Sequence, residues 1–261
     1  MTGTYRFGDT ATASDRLAVL SAAFEQNSRE FIERWVDRPI RSAIDLGCGP
    51  GHTTRLLAEV TGARRTIGVD HSGSFLNEAR SESDPNDAVS FEKHDVIEMP
   101  LPGAPADLVY CRFLLSHLAE PAYVVGRWIT QLHVRGILLL DEVEYVRTRH
   151  PVLDRYQEVV VAYLAHYGNR LEVGPTLDAF DVGSSAMRLS STVREVRPST
   201  DQVARMFTNN LAVWRNDDFL TGRFTAQGLA DLEVELRGLI GSPDRLDAVW
   251  GIRQIVFRRN H

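Results

Sequence analysis

Short apolar runs alternate with amphipathic stretches through the middle of the chain. The runs 42–46, 65–70, 89–93, 107–111 and 136–141 have the length of strands, and several end in an acidic or small polar residue. Runs of this kind, apolar almost throughout, belong to strands buried on both faces, as in a parallel sheet covered by helices. Between them, 53–60 sets Leu56, Leu57 and Val60 on one helical face, and 74–80 and 122–133 follow the same spacing. The pattern predicts an α/β fold, with a doubly wound, mostly parallel sheet. Its polar strand ends then lie along the carboxyl edge, where open α/β sheets bind ligands.

The flanks read differently. Residues 14–35 predict two helices that break near Gln26, Asn27 and Ser28, with Asn27 or Ser28 capping the second. After Asp141 the alternation stops, and 142–187 predicts a mostly helical insertion punctuated by Pro151, Gly174 and Pro175. A strand over 188–197 follows, then a helix over 200–214 burying Val203, Phe207, Leu211 and Trp214. A second helix covers 225–240, and a closing strand spans 250–258. The expected organisation is an N-terminal helical lid over 1–38 and one α/β domain over 39–261, with the insertion as a helical cap.

Composition narrows the function. The 261 residues carry a formal charge of −6 without a dense Lys/Arg cluster, which argues against nucleic acid and for a small-molecule partner. Cys48 and Cys111 are too few for a disulfide framework. Residues 1–12 have no apolar signal region, and no apolar run approaches the ~18 residues of a membrane span. The expected setting is the cytoplasm, with no membrane partner, as a monomer or homodimer.

The chemistry starts at Asp45-Leu46-Gly47-Cys48-Gly49-Pro50-Gly51-His52, a strand running through three alternating glycines into a helix. Glycine backbone can take left-handed angles and lie against a ligand. A dinucleotide fingerprint spaces its glycines G-x-G-x-x-G and receives a pyrophosphate. This loop reads G-x-G-x-G with a carboxylate two residues ahead, which suits a cation such as the sulfonium and ammonium of S-adenosylmethionine (SAM). Asp70, ending the second run, can grip both ribose hydroxyls. Asp95 and Val96, after the third, can take the adenine amino group and the ring face.

These residues resemble the class I SAM-dependent methyltransferases, particularly the small-molecule enzymes. The segment Asp45 to Gly51 resembles the family's first motif, with Asp70 its ribose acid and Asp95-Val96 its adenine pair. Residues 107–118, containing Cys111, Arg112 and His117, resemble its fourth strand and the following turn, beside the methionine end of SAM. The resemblance covers about residues 40–145. It implies a seven-stranded sheet with the last strand antiparallel, SAM as methyl donor and S-adenosylhomocysteine (SAH) as product. Metal-dependent relatives place an acid after the fourth strand; Cys111 and Arg112 stand there instead, so no metal is expected.

On the acceptor side, His117 is either a general base, a contact to the SAM carboxylate or a packed helix residue. Glu142 is a base or acceptor contact, or part of a solvated loop. His52 and His71 adjoin the cofactor motifs and are expected to touch SAM. Arg112 pairs with a carboxylate on SAM or acceptor, or forms a surface salt bridge. Tyr163, His166 and Tyr167 share one helix face of the insertion, as core or pocket. Tyr5 and Phe7 are a lid or a packed terminus, and Asn209 and Asn210, within an otherwise apolar helix, reach the substrate pocket or are one exposed amide and one capped by a neighbour. The expected function is methyl transfer to an oxygen, nitrogen or carbon of a small metabolite, with secondary metabolism as one setting. Two rivals stand beside it: a non-catalytic SAM-binding protein, and an NAD-dependent oxidoreductase.

Overall fold

The computed structural model describes residues 8, 10–84, 88–242 and 248–261. The elements run α1 (Ala11–Trp35), β1 (Ser42–Leu46), α2 (His52–Thr61), β2 (Arg65–Asp70), α3 (Gly73–Ser81), β3 (Val89–Lys93), β4 (Ala106–Arg112), α4 (Pro121–Ile129), β5 (Leu132–Thr148), α5 (Pro151–His166), α6 (Gly174–Asp178), β6 (Ala186–Val196), α7 (Thr200–Trp214), α8 (Asp218–Phe224), α9 (Ala226–Gly238) and β7 (Ala248–Arg259). The seven strands form one sheet in the order β3-β2-β1-β4-β5-β7-β6. Strands β1 to β5 pair in parallel, and β7 runs antiparallel to both β5 and β6. This is the sheet of the class I methyltransferase fold.

Every residue of β4 is buried, and β1 and β2 expose little beyond their first positions, as expected of strands covered on both faces. The chain order reverses between β1 and β4, whose register sets Leu46 opposite Cys111 and Asp45 opposite Tyr110. The carboxyl ends of those strands diverge there into the loop after β1 and the turn after β4. One apolar cluster, with Leu46, Val69, Trp128 and Phe257, seats α4 on one face of the sheet. Another joins Phe31 and Ile32 of α1 to Leu57, Leu108 and Tyr110. A third ties Phe24 of α1 to Tyr156, Phe207, Trp214 and Trp250, which makes the helices after β5 a single cap.

Three sequence expectations are corrected. The break in the first helix does not form, and α1 runs unbroken through Gln26, Asn27 and Ser28. Ser28 is fully buried and donates its hydroxyl to Asp141 Oδ2 at 2.7 Å, so it faces the sheet instead of capping a helix. The fifth strand does not stop at Asp141 but continues to Thr148, and the helical part of the insertion starts at Pro151. Antiparallel pairing with β7 as far as Thr148 opposite Ala248 supports the extra length. Finally, α4 ends at Ile129, and Leu132 already begins β5.

Candidate functional site

The loop after β1 is fixed by its own backbone. Gly47 and Cys48 donate to the Val69 carbonyl at 2.8 and 3.1 Å, and Gly49 donates to Asp70 Oδ2 at 2.9 Å. Gly47 (φ +69°) and Gly51 (φ +87°) take left-handed angles. A Cβ on Gly51 would lie 2.6 Å from the Phe91 ring. Asp45, at the end of β1, accepts the hydroxyls of Thr53 and Thr54 at 2.6 and 2.7 Å on Oδ2. Its Oδ1 is buried and has no hydrogen-bond partner among the described residues. Burial raises the Asp45 pKa to about 6 despite those two hydroxyls.

Asp70 closes β2 and is buried; besides the Gly49 N–H it accepts Ser72 N–H at 2.8 Å on Oδ1. A carboxylate offers about four lone-pair sites, so two backbone donors leave room for two hydroxyls. Asp95 accepts Ile97 N–H at 3.1 Å, and Val96 is held by its carbonyl, which accepts Trp128 Nε1–H at 2.8 Å. Loop, Asp70 and Asp95-Val96 all open onto one cavity of about 790 Å³.

The turn after β4 forms the opposite wall. Phe113 sits at φ +55°, a strained angle for a residue with a bulky side chain. Glu142 holds the turn: its Oε1 accepts Leu114 and Leu115 N–H, each at 2.9 Å, and takes the Cys111 thiol at 3.5 Å. Glu142 is fully buried, and burial raises its pKa to about 7. Burial also pushes the Cys111 and Cys48 thiols well above their usual range, so neither is a thiolate nucleophile. His117, on the same turn, is carried down to about 3 by burial first and by the nearby Arg16 charge second. Its imidazole is therefore neutral at any physiological pH.

Behind the turn, Asp141 is fully buried and accepts from Ser28, Tyr110 at 3.1 Å and Gln254 at 3.2 Å. Arg112 donates to Ser28 and Ser21 at 3.1 and 3.2 Å. This network locks α1 to β4, β5 and β7.

The cavity therefore brings together most of the residues singled out in the sequence: Gly47, Cys48, Gly49, His52, Asp70, His71, Asp95, Val96, Arg112, His117 and Asn210 all line it. Asp45, Gly51, Cys111 and Glu142 lie directly behind its wall and shape it, being absent from the lining. Tyr163 and Tyr167 fall inside the cap. Tyr163 stacks on Trp214 at 4.9 Å, and Tyr167 donates to Asp217 at 2.7 Å. Tyr5 and Phe7 lie outside the described residues.

Sequence reasoning missed the α1 stripe of Arg16, Leu17, Leu20 and Phe24, and did not place Met206, Phe207 or Trp250 at the cavity. The stripe was signalled by the three- and four-residue spacing of Leu17, Leu20 and Phe24. Tyr156 lies two helical turns before Tyr163, on the same face. Among the described residues no group of three or more His, Cys, Asp or Glu is placed to hold a metal ion. No helix there is long and apolar enough to cross a membrane.

Residues 43–133 match the family described as a methyltransferase domain. The chain is 31% identical over 166 residues to an uncharacterized 37.1 kDa protein in transposon TN4556 of Streptomyces fradiae, covering 62% of this chain and 47% of that one. It is 32% identical over 100 residues to trans-aconitate 2-methyltransferase of Azoarcus sp., 38% of each protein. The chain thus spans less than half the length of these relatives. Among solved structures, the phosphoethanolamine N-methyltransferase 2 of Haemonchus contortus, in complex with phosphomonomethylethanolamine and SAH, aligns with a TM-score of 0.60 at 16% identity. That alignment covers 99% of this chain and 60% of the other, and it is a likeness of fold.

Proposed function

We propose that this chain is a class I SAM-dependent methyltransferase that transfers the methyl group of SAM to a small-molecule acceptor, a reading supported by the methyltransferase-domain match over residues 43–133. The observation that carries the reading is the continuity of the cavity. It runs from Asp95, Asp70 and the glycine loop, past His117, into a chamber walled by α1 and the cap.

The residues present fit SAM. Asp70 has lone pairs left for the ribose hydroxyls, and Asp95 with Val96 frames an adenine. The unpartnered Asp45 Oδ1 behind Gly47 sets a negative end beside the loop, where an ammonium is welcome and a pyrophosphate is not. That charge disfavours the NAD reading. When bound, SAM supplies an electrophilic methyl carbon on a cationic sulfonium.

The chain's own part is proximity and orientation. An acceptor atom has to sit about 3 Å from the methyl carbon, in line with the bond that breaks. Phe113 lines the cavity in its strained angle, its N–H donating to the Asp141 carbonyl at 3.2 Å, while Glu142 holds the next two residues of the turn. His117 lines the same cavity as a neutral imidazole, able to accept a hydrogen bond from an acceptor hydroxyl or amine. Its low pKa makes it a weak base, better suited to orienting an acceptor than to taking its proton. An acceptor chamber open to the donor side favours transfer over SAM binding alone.

Calorimetric titration with SAM, SAH and NAD tests the reading. Saturable binding of the first two without NAD is expected, followed by transfer of a labelled methyl group to an acceptor. Binding of NAD alone would overturn it.

A further inference from the structure

The sheet has a second edge, opposite the cavity, where β1, β2, β4 and β5 begin and the antiparallel β7 ends. Four separate segments of chain deliver arginines to it. Arg38 and Arg41 come ahead of β1, Arg64 ahead of β2, Arg135 at the start of β5, and Arg258 with Arg259 at the end of β7. The sequence shows no such cluster, because the topology assembles it. Arg41, Arg64 and Arg135 are exposed. Arg41 has Asp107 Oδ2 4.0 Å from its Nε, but none of Arg38, Arg64, Arg135 and Arg258 forms an ion pair among the described residues. The protein carries −6 overall, so this edge runs against its net charge.

A protrusion stands within that edge. Ala106 and Leu108 of β4 pair with Leu132 and Ile137, so β5 advances five residues while β4 advances two. The surplus bulges out as His133-Val134-Arg135-Gly136, the first three of them exposed. Arg135 takes φ +67°, a left-handed angle that glycine adopts freely and arginine does not. Gly136 is packed so closely that a Cβ there would lie 2.8 Å from the His133 carbonyl oxygen. Two arginines hold the bulge in place. Arg38 donates to the Arg135 carbonyl at 2.7 Å, and Arg259 donates to the Thr130 carbonyl at 2.7 Å and to that of Leu132. Val134 is thereby set at the tip, 58% exposed, between His133 and Arg135. A lone exposed valine is ordinary; one raised on a strained bulge that two cations clamp is not.

We propose that this edge is a docking surface for a second protein, one whose acidic surface surrounds a small apolar hollow that receives Val134. Charge complementarity selects the sign of the partner and speeds the encounter, and burial of Val134 supplies the short-range contact. The apolar tip is what points to a protein. The phosphates of a nucleic acid would use the arginines and leave Val134 in water. The edge lies across the sheet from the cavity, so a partner seated here leaves the cavity open to its ligands.

The test is fluorescence anisotropy of labelled probes titrated with the full chain at physiological ionic strength. One probe is a peptide of glutamates and aspartates around two central leucines, and another has serines in place of those leucines. A short DNA duplex and phosphatidylglycerol vesicles complete the set. The leucine peptide is expected to bind saturably, at least ~5-fold more tightly than the serine peptide, through burial of the valine surface. Val134→Ser is expected to remove that difference, and Arg64→Glu combined with Arg258→Glu to weaken both peptides roughly tenfold. The urea midpoint of each variant should match the parent, which reports that it is folded.

Equal affinity for the two peptides in the unaltered chain overturns the proposal, as does a leucine peptide that does not bind. A preference for leucine that survives in Val134→Ser overturns it too, because the apolar contact then lies elsewhere. Tighter binding of the DNA duplex than of either peptide overturns it in favour of a nucleic acid. Vesicles that displace the leucine peptide overturn it in favour of an anionic membrane surface.

Discussion

The acids of the site face different surroundings, and each difference reads out in solution. Asp70 accepts the Gly49 and Ser72 N–H groups, has His71 Nδ1 3.5 Å from its Oδ1, and lines the cavity. Asp70→Ala is expected to weaken SAH binding by about 1–3 kcal/mol by calorimetry; unchanged affinity would take Asp70 out of the site. Asp45 is different, because burial holds its pKa at about 6 and it is partly protonated in weak acid. A cationic ligand end favours the ionised form, so SAH affinity should climb as pH rises through 6 and then level. Asp45→Asn should flatten that rise. His117, neutral from about pH 3 upward, should contribute no limb to a pH–rate profile between 5 and 8. An acid limb in that range that vanishes in His117→Ala would show instead that the ring titrates during turnover.

At the scale of elements, the turn after β4 depends on one carboxylate from β5. Glu142 takes two backbone N–H groups and still has a pKa of about 7 against an ordinary 4.5, because its Oε2 is buried without a partner. Between those two values the native state keeps a proton that the unfolded chain has released. Stability therefore falls as pH rises across the window, by about 3 kcal/mol for this group alone. Glu142→Gln keeps the accepting oxygen and never ionises, so it should gain on the parent protein by roughly that amount between pH 5 and 8 in urea unfolding. A constant gap would mean that the carboxylate ionises there without penalty.

The same turn shows where sequence reading stops. The strand runs, the glycine loop and the two acids after it are local patterns, and β1 and β2 formed over the residues that predicted them. The role of Glu142 is nonlocal: nothing near position 142 says that its partners are Leu114 and Leu115. The failed break in α1 has the same origin. Asn27 and Ser28 carry the chemistry of a cap, but Asp141, more than a hundred residues away, accepts the Ser28 hydroxyl and draws that face into the interior. Propensity described those side chains correctly and could not weigh the partner that the fold supplies.

For the whole molecule, α1 is the element common to both halves of the cavity. Its second half is fixed through Ser28, Phe31 and Ile32, buried against the sheet and α2. Its first half carries Arg16, Leu17, Leu20 and Ser21, which border the cavity itself. The two halves should therefore differ in stability although they form one helix. Residues near 28–35 share the opening free energy of the core, while those near 11–24 open more easily when the cavity holds only solvent. A ligand that fills the cavity binds the closed helix and not the open one, and stabilises it by RT ln(1 + [L]/Kd), about 2.7 kcal/mol at a hundredfold excess over Kd. Native-state hydrogen exchange should thus show SAH slowing amides in residues 11–24 while leaving 28–35 nearly unchanged. An acceptor analogue bound alongside SAH should extend the protection to α7, which carries Met206, Phe207 and Asn210 on the cavity wall. Equal slowing along all of α1 would mean that the helix opens as one unit with the sheet. No slowing in its first half would mean that the helix is a fixed wall, and that ligands enter and leave between the loop after β1 and the cap.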